Sequence, residues 1–338
     1  LPPAPFLMPP VRPPRASPLI LHVCTRCCGI IVRMNLSIAI APEVQAALTA
    51  GRPVVALEST VISHGLPYPH NLELAHAMEQ EVRDGGAIPA TVGIVAGTPT
   101  IGMDTAALER FARTDPQHRP LKVSRRDIGY VIAAGGNGAT TVAATMALAH
   151  LAGVQVFATG GIGGVHRGAR ENWDVSADLT ELARTPVLVV CAGAKAILDL
   201  PATMEYLETS GVPVLGWRTN EFPAFYSISS GLSVAPASDA SFVARAWRAH
   251  RALGGAGMLL TVPPPAEHAL DRAVAEAAIE GALRRAAEEG IHGPAVTPFL
   301  LAALARETGG ESVRSNVALL RQNARVAAEV AAAIAGVV

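Results

Sequence analysis

From Pro53 onward, short runs of apolar residues without polar alternation recur along the chain, and segments with helical periodicity separate them. The runs predicted as strands are PVVALEST, ATVGIVAG, IGYVIAAG, VQVFATGG, VLVVCAG and VPVLGW. Strands that are apolar on both faces and joined by helices are typical of a parallel sheet covered on both sides. The sequence therefore predicts an α/β fold of three layers (α/β/α), with a largely parallel central sheet and a helical C-terminal part.

The composition limits the class of protein and of partner. The 338 residues are 50% apolar and carry a net charge of −1, with both signs spread along the chain. No basic stripe that would attract nucleic acid is present, and no apolar run approaches the roughly 20 residues of a membrane span. We therefore expect a globular protein with a small-molecule ligand, and neither nucleic acid nor a membrane as partner. Because no linker divides the chain after residue 33, residues 34–338 are predicted to form a single domain.

The first 33 residues differ from the rest in composition. They are crowded with proline, which disfavours regular helices and central strands. Cys24 and Cys27 form a C-x-x-C pair, but without a second pair this indicates zinc only weakly, and the segment lacks the clean apolar region of a signal peptide. We predict a disordered leader, translated from upstream of a natural start at Met34. Cys191 is unpaired within the core region, which favours a reducing cytoplasm.

Polar residues follow several of the predicted strands. VVALEST ends near Glu58, and the segment VFATGGIGGVHRG ends on Thr159, four glycines, His166 and Arg167. Ligands of open α/β sheets bind outside the carboxyl ends of the strands. Glycines beside hydroxyls and cations suit a phosphate monoester, whereas tight turns are the alternative explanation for each glycine cluster. Neither a P-loop nor a clean dinucleotide fingerprint is present, so these motifs give no specific support for nucleoside triphosphates or dinucleotides.

The segment ENWDVSADL contains two aspartates around a serine. Asp174 and Asp178 flank Ser176 just ahead of the strand VLVVCAG. One interpretation is a solvated turn in which Ser176 or Asp178 caps a helix. The other is a hard divalent cation, Mg²⁺ or Mn²⁺, held by carboxylate oxygens and water.

Lys195 is out of place among its neighbours in the sequence. It follows the buried-strand pattern VLVVCAG and stands between alanines. A structural lysine could extend its stem along apolar groups and keep the ammonium in water. Alternatively, a lysine that loses hydration becomes accessible as a neutral amine, which can form a Schiff base with a carbonyl carbon.

Long segments of the chain resemble the pseudouridine-5'-phosphate glycosidases, also called the indigoidine synthase A-like family. The resemblance covers residues 42–335 in order. The segments that carry it are VVALESTVISHGLPYP, KVSRRDIGYVIAAGGNGATTVAATM, VFATGGIGGVHRGARENWDVSADLTELA, VVCAGAKAILDL, TMEYLETSGVPVLGW and TPFLLAALARETGGESVRSNVALLRQNA.

The resemblance implies an activity and a set of site residues. The activity is reversible cleavage of the C–C glycosidic bond of pseudouridine 5'-phosphate to uracil and ribose 5-phosphate, by a manganese-dependent homotrimer with an α/β/α fold. It implies Lys195 as nucleophile, Glu58 as proton donor and Asp174 as metal ligand. The substrate contacts it implies are Lys122, Val142, Thr159, His166, Ser176, Ala177, Asp178 and Asn316.

The chain departs from the family pattern at three positions, and two rival functions stay open. Gly136, Val262 and Pro294 stand where the family usually has lysine, asparagine and lysine, which affects expectations about substrate closure and rate. One rival is a class I aldolase or lyase acting on another sugar phosphate, which would release no uracil. The other is a non-catalytic sugar-phosphate sensor, which has no need of a desolvated amine.

Deletion of residues 1–33 is expected to leave activity and the thermal unfolding midpoint unchanged, because this segment has no pattern that would pack against a core. The full chain and the truncated chain are to be compared by thermal unfolding and by turnover. A large loss of soluble protein on deletion would show instead that the leader is structural.

Overall fold

The computed structural model describes residues 37–113, 115, 119–291 and 296–336. The predictions for the leader and for Pro294 lie outside these residues. The part of the chain from Ser37 onward forms one compact unit. Within the described residues, no helix combines the length and hydrophobicity needed to cross a bilayer.

The strands in chain order are β1 (Ala39–Ile40), β2 (Val54–Glu58), β3 (Ile88–Val95), β4 (Thr98–Ile101), β5 (Leu121–Val123), β6 (Gly138–Thr140), β7 (Val156–Ala158), β8 (Val165–His166), β9 (Leu188–Cys191), β10 (Leu198–Asp199), β11 (Val214–Trp217), β12 (Ala235–Ala237) and β13 (Met258–Thr261).

The helices are α1 (Pro42–Thr49), α2 (Thr60–His64), α3 (His70–Asp84), α4 (Thr105–Ala112), α5 (Ile128–Ala133), α6 (Val142–Leu151), α7 (Ala169–Asn172), α8 (Ala177–Leu182), α9 (Leu200–Thr209), α10 (Ala240–Ala252), α11 (Arg272–Glu288), α12 (Val296–Glu307) and α13 (Glu311–Ala335), with 3-10 turns at Arg125–Asp127 and Ala266–His268.

The strands form one large, mostly parallel sheet, as predicted. In the described residues it has 11 strands, with the order β1-β4-β3-β2-β7-β9-β13-β11-β12, and with β6 beside β3 and β5 beside β6. All pairs from β3 through β2 to β12 are parallel. Antiparallel pairing joins β3 to β4 and to β6. Strands β8 and β10 form a separate antiparallel pair.

Helices cover both faces of the sheet. All four residues of β9 are fully buried, and successive side chains of a strand point to opposite faces, so neither face is open to water. Helix α13 packs across β2, β7 and β9 and contacts α3 and α10, whereas α6 packs on β2 and β3 beside α8. The predicted α/β/α architecture with a helical C-terminal part is confirmed.

A buried carboxylate fixes α13 to α3. Glu81 is 4% exposed, and its two oxygens accept hydrogen bonds from Arg321 at 2.7 Å and Arg325 at 2.6 Å. A buried charge requires such partners, and the bidentate arginine pairs set the position of one helix on the other. Asn323, on the same helix, donates to the carbonyl of Thr159 at 2.8 Å. Helix α13 is therefore tied to the segment that follows β7.

The prediction that IGYVIAAG is a strand is wrong, since this segment forms α5. The backbone N–H of Ser124 donates to the Asp127 carboxylate at 2.9 Å, which fixes the turn that leads into the helix. Val131 is buried, whereas Tyr130 is 70% exposed, a pattern of partial burial that a central strand would not have. A short apolar run cannot be assigned by periodicity alone, and here the N-terminal capping contact favours the helix.

Strand β6 pairs with β3 directly beyond the point where β2 ends. Strand β2 pairs with β3 up to Glu58 opposite Val92, and β6 pairs with the next residues, Gly93 and Ile94. The backbone N–H of Thr140 in β6 donates to the Ser59 hydroxyl at 2.9 Å. This exchange of partners ends β2 at Glu58 and leaves its side chain at the carboxyl edge of the sheet.

Candidate active site

Three neighbouring parallel strands bring polar side chains to one edge of the sheet. Glu58 ends β2, Thr159 directly follows β7, and Lys195 lies four residues beyond β9. Because β2, β7 and β9 are adjacent and parallel, their carboxyl ends meet. The Thr159 hydroxyl donates to Glu58 Oε1. The ammonium of Lys195 is close enough to act on the Glu58 carboxylate electrostatically.

Burial and neighbouring groups shift the pKa of the Glu58 carboxyl group in opposite directions. Burial raises its pKa above the ordinary value, and the positive charge of Lys195 opposes that shift most strongly. The hydroxyls of Thr159 and Thr60 also stabilise the ionised form, each donating to one carboxylate oxygen. A carboxyl group with a raised pKa beside an amine is suited to take up and release a proton.

The loop that carries Lys195 is buried on both sides of that residue. Lys195 is half-buried, whereas Ala194 and Ala196 are buried, so the lysine is the one polar side chain of this turn. Its backbone N–H donates to the carbonyl of Ile162 at 3.1 Å. Gly193 adopts a φ of +83°, and a Cβ there would lie 2.7 Å from the carbonyl of Pro223, so the turn into Lys195 requires glycine.

Lys122 lies in β5 and shares the electrostatic environment of Lys195. Partial desolvation lowers the pKa of Lys122, and the charge of Lys195 lowers it further, against the opposing charges of Glu58 and Asp178. The chain contains two lysines, and the structure brings both to this site. Cys191 is not a competing nucleophile, because burial raises the pKa of its thiol to about 12.

Asp178 is occupied by backbone hydrogen bonds. Its Oδ1 accepts from the N–H of Ala143 at 2.9 Å, in the first turn of α6, and its Oδ2 accepts from the N–H of Gly163 at 2.8 Å. The Ser176 hydroxyl caps α8 by accepting from the N–H of Asp178 at 3.2 Å. The capping interpretation of this segment therefore describes Ser176. Asp178 fixes the glycine loop to the N-terminus of α6, and each of its oxygens accepts one backbone N–H.

The glycines that follow β7 are close-packed. A Cβ on Gly163 would lie 2.2 Å from the Ser176 hydroxyl, and one on Gly164 would lie 2.4 Å from that of Thr203. One on Gly161 would lie 2.7 Å from the ring of Phe225. Tight packing against neighbouring residues thus explains these three glycines without a phosphate.

His166 and Asp174 lie together at the edge of the site. The backbone N–H of His166 donates to the carbonyl of Asp174 at 3.0 Å, and the His166 Nδ1 lies 3.7 Å from Asp174 Oδ2. Burial lowers the pKa of His166 more than the Asp174 carboxylate raises it, and the charges of Lys195 and Lys122 add to the lowering. The imidazole is therefore neutral at pH 7.

Three further residues were expected to contact substrate, and all three lie on helices. Val142 is buried at the first position of α6, next to the N–H that donates to Asp178, and Ala177 is exposed at the first position of α8. Asn316 is half-buried on α13, with its Oδ1 3.6 Å from where a Cβ on Gly160 would stand.

Arg167 does not take the place expected of a phosphate-binding cation. Its guanidinium forms a bidentate ion pair with Glu276 on α11, at 2.6 and 3.1 Å. By contrast, Thr60 was missed as a site residue, although its position two residues after Glu58 would have allowed its inclusion. Among the described residues, no group of three or more His, Cys, Asp or Glu side chains is arranged to hold a metal ion.

A lysine and a carboxyl group at the carboxyl ends of adjacent parallel strands define an α/β enzyme with a potential amine nucleophile. The sequence profile described as indigoidine synthase A like protein matches residues 43–333. The chain belongs to this family.

This chain aligns with named relatives over nearly the whole length of those relatives. The pseudouridine-5'-phosphate glycosidase of Roseiflexus sp. (strain RS-1) is 84% identical over 305 residues, which cover 90% of this chain and 98% of the relative. The protein of the same name from Chloroflexus aurantiacus is 65% identical over 300 residues, covering 87% and 98%.

Two solved structures share the fold. The prealnumycin C-glycosynthase AlnA, in complex with ribulose 5-phosphate, matches with a TM-score of 0.82 and 44% identity over 89% of this chain and 97% of that protein. An indigoidine synthase A-like protein from Thermotoga maritima matches with a TM-score of 0.79 and 36% identity over 87% and 96%.

Replacing Thr60 by valine is expected to move the limb of the pH–rate profile that reports Glu58 to higher pH. The hydroxyl stabilises the ionised carboxylate and so lowers its pKa, and removal of that hydrogen bond lets the pKa rise. The measurement is the pH dependence of kcat/KM. Thr49→Val is the control, because the Thr49 hydroxyl donates to a carbonyl on the surface of α1. An unchanged pH–rate profile in Thr60→Val would contradict the prediction that the Thr60 hydroxyl lowers the pKa of a catalytic Glu58.

Proposed function

We propose that the protein is a pseudouridine-5'-phosphate glycosidase, which reversibly cleaves pseudouridine 5'-phosphate to uracil and ribose 5-phosphate. The observation that carries this proposal is the placement of Lys195 beside Glu58, a carboxyl group whose pKa is raised by burial. The names of relatives up to 84% identical support the substrate. A C-glycosynthase of the same fold, solved with ribulose 5-phosphate, supports C-glycosidic chemistry on a pentose phosphate.

The bond to be broken explains why an amine is needed. An ordinary N-glycosidase protonates its leaving base and stabilises an oxocarbenium ion with carboxylates. A C-glycoside has a poor carbon leaving group, so cleavage of its C1'–C5 bond needs an electron donor attached to C1'. The neutral amine of Lys195 attacks C1' of the ribose, and the bond between C1' and the ring oxygen breaks as that oxygen takes up a proton. The nitrogen, positively charged after the attack, loses one proton to water and so regains its lone pair.

The carbon–carbon bond then breaks with assistance from the lysine nitrogen. Protonation at C5 of uracil makes that carbon tetrahedral. As the C1'–C5 bond breaks, its electron pair restores the C5=C6 double bond of uracil, and the lone pair of the Lys195 nitrogen forms the C1'=N bond of an iminium ion. Water adds to this ion and releases ribose 5-phosphate and the free amine.

Glu58 is the group that moves the protons. In this site burial raises the pKa of its carboxyl group, and the nearby charge of Lys195 and the hydroxyls of Thr159 and Thr60 oppose that rise in part. These opposing effects let both the protonated and the ionised forms be reached during one turnover. Glu58 can therefore deliver a proton to the ring oxygen and, after recharging from water, another to C5.

For the metal, we propose Mn²⁺ at Asp174, whose side chain is 42% exposed and whose Oδ2 lies 3.7 Å from His166 Nδ1. Because Asp178 is engaged with the backbone, Asp174 would be the protein carboxylate of a site completed by water and by phosphate oxygens, a mode that hard cations accept. The residues present fit this water-rich coordination. When bound, the metal ion would supply charge neutralisation for the phosphate end. A homotrimeric assembly and a cytoplasmic location stay predictions.

The two rival functions are separable by products. An aldolase acting through the same lysine would release no uracil from pseudouridine 5'-phosphate, and a sensor would release nothing. The primary assay is therefore incubation with uracil, ribose 5-phosphate and Mn²⁺, with detection of pseudouridine 5'-phosphate by mass and by ultraviolet absorbance. Absence of product in both directions would overturn the proposed function.

Borohydride is expected to trap ribose 5-phosphate on Lys195, because reduction converts the imine to a stable amine. Lys195→Ala should trap nothing and lose nearly all turnover. Glu58→Gln keeps the shape at the end of β2 but cannot carry a proton, so it should bind ribose 5-phosphate and slow turnover by about 10²–10⁴-fold. The adduct is located by peptide mass spectrometry. An adduct on Lys122, or wild-type turnover in Glu58→Gln, would reverse these roles.

Removal of divalent metal with a chelator is expected to abolish or sharply reduce activity, and Mn²⁺ should restore it. Asp174→Asn should raise the Mn²⁺ concentration needed for half-maximal activity, since an amide oxygen lacks the formal charge of the carboxylate. The measurement is initial rate against Mn²⁺ concentration after dialysis. Glu171→Gln, an exposed neighbour on α7, is the control. Full activity of the chelated enzyme would refute the metal assignment.

A further inference from the structure

The guanidinium of Arg167 connects the lysine loop to helix α11. Its Nη2 donates to the carbonyl of Ala196 at 3.2 Å and its Nε to that of Leu198 at 3.4 Å, and these carbonyls belong to the segment directly after Lys195. On its other side, the same group forms the bidentate pair with Glu276. One side chain therefore reaches both the nucleophile's loop and a helix more than 70 residues further along the chain.

The segment after Lys195 is buried, with Ala196 7% and Leu198 2% exposed, and a cavity borders it. A cavity of about 460 Å³ lies there, lined by Arg167, Ala196 and Leu198 together with residues of α9, α11 and the loop 224–232. Arg167 lines this cavity, and its hydrogen bonds to the carbonyls of Ala196 and Leu198 lie at the cavity rim.

The chemistry of arginine suits this role. Its planar group donates in several fixed directions at once, so a carboxylate on one edge can orient the donors on the other edge toward two carbonyls. Partly exposed ion pairs contribute little to overall stability, and Arg167 and Glu276 are 28% and 47% exposed. The consequence of the contact is therefore expected in the geometry of the loop more than in the free energy of unfolding.

We propose that Arg167 is a positioning residue for Lys195 and that Glu276 orients Arg167. Arg167 donates hydrogen bonds to the carbonyls of Ala196 and Leu198, and through them sets the direction from which the Lys195 amine approaches C1'. This inference rests on the proposed function, because it assumes that Lys195 forms the covalent bond. It assigns Arg167 no contact with the phosphate.

The test compares the rate of borohydride-trapped adduct formation among variants. Arg167→Gln is expected to slow trapping and to lower kcat by about 10- to 100-fold, since displacement of a reacting group by about 1 Å has effects of this size. Arg167→Lys should recover part of the loss, and Glu276→Gln, which keeps an acceptor, should lose less than Arg167→Gln. Arg83→Gln is the matched control, because Arg83 forms a bidentate pair with Glu43 at 2.7 and 2.8 Å far from the site.

A binding measurement separates positioning from phosphate recognition and from unfolding. In the Lys195→Ala background, Arg167→Gln should leave the Kd for ribose 5-phosphate within about three-fold, as expected when no ligand contact is lost. A loss of affinity of 30-fold or more would show that Arg167 binds the substrate. Equal trapping rates in Arg167→Gln and wild type would also overturn the inference. If Arg167→Gln fails to fold, Glu276→Gln and Arg167→Lys decide by the same trapping rate.

Failure of the proposed function gives a different result. If the wild-type protein traps no adduct on Lys195, the proposed chemistry is wrong and the positioning role falls with it. If wild type traps the adduct and the Arg167 variants trap it equally fast, the chemistry stands and only the positioning role is refuted.

Discussion

The site depends on the parallel pairing of β2, β7 and β9. A parallel arrangement places the carboxyl ends of all three strands at one edge, and these ends supply Glu58, Thr159 and Lys195. The pairing of Glu58 opposite Val92 and of Thr159 N–H with the carbonyl of Val190 fixes how far each strand extends. A shift by one residue would turn the end side chains to the other face of the sheet. The apolar character of these strands on both faces is thus the condition for the chemistry at their ends.

Much of this arrangement could be predicted from the sequence, and the failures have physical causes. The parallel sheet followed from apolar strands alternating with helices, and Lys195 was conspicuous as a charged residue in a small, apolar turn. The helix α5 was mistaken for a strand because its apolar run is short and its capping contact between Ser124 and Asp127 is not visible as periodicity. The sequence pattern also gave no sign of β5 or of the way in which β6 continues beyond Glu58.

The contacts of individual polar side chains were the least predictable part. Asp178 was expected to touch substrate or metal, and its two oxygens accept from the N–H groups of Ala143 and Gly163, partners 35 and 15 residues away. Arg167 was expected to suit a phosphate and pairs with Glu276, 109 residues away. Sequence reasoning identifies which residues have polar atoms, but the partner of each atom is decided by long-range packing.

The presence of both lysines in the site has a consequence for handling the protein. Arginines supply the other positive side chains of the chain, so Lys122 and Lys195 are its only ε-amines. The pKa of Lys122 is lowered by desolvation and by Lys195, which makes a larger share of it neutral and open to acylation. Reagents that couple dyes, crosslinkers or solid supports to amines would therefore act on the side chains of the candidate active site rather than on the rest of the surface. For this protein, attachment through a tag avoids these two lysines, whereas amine coupling acts on them.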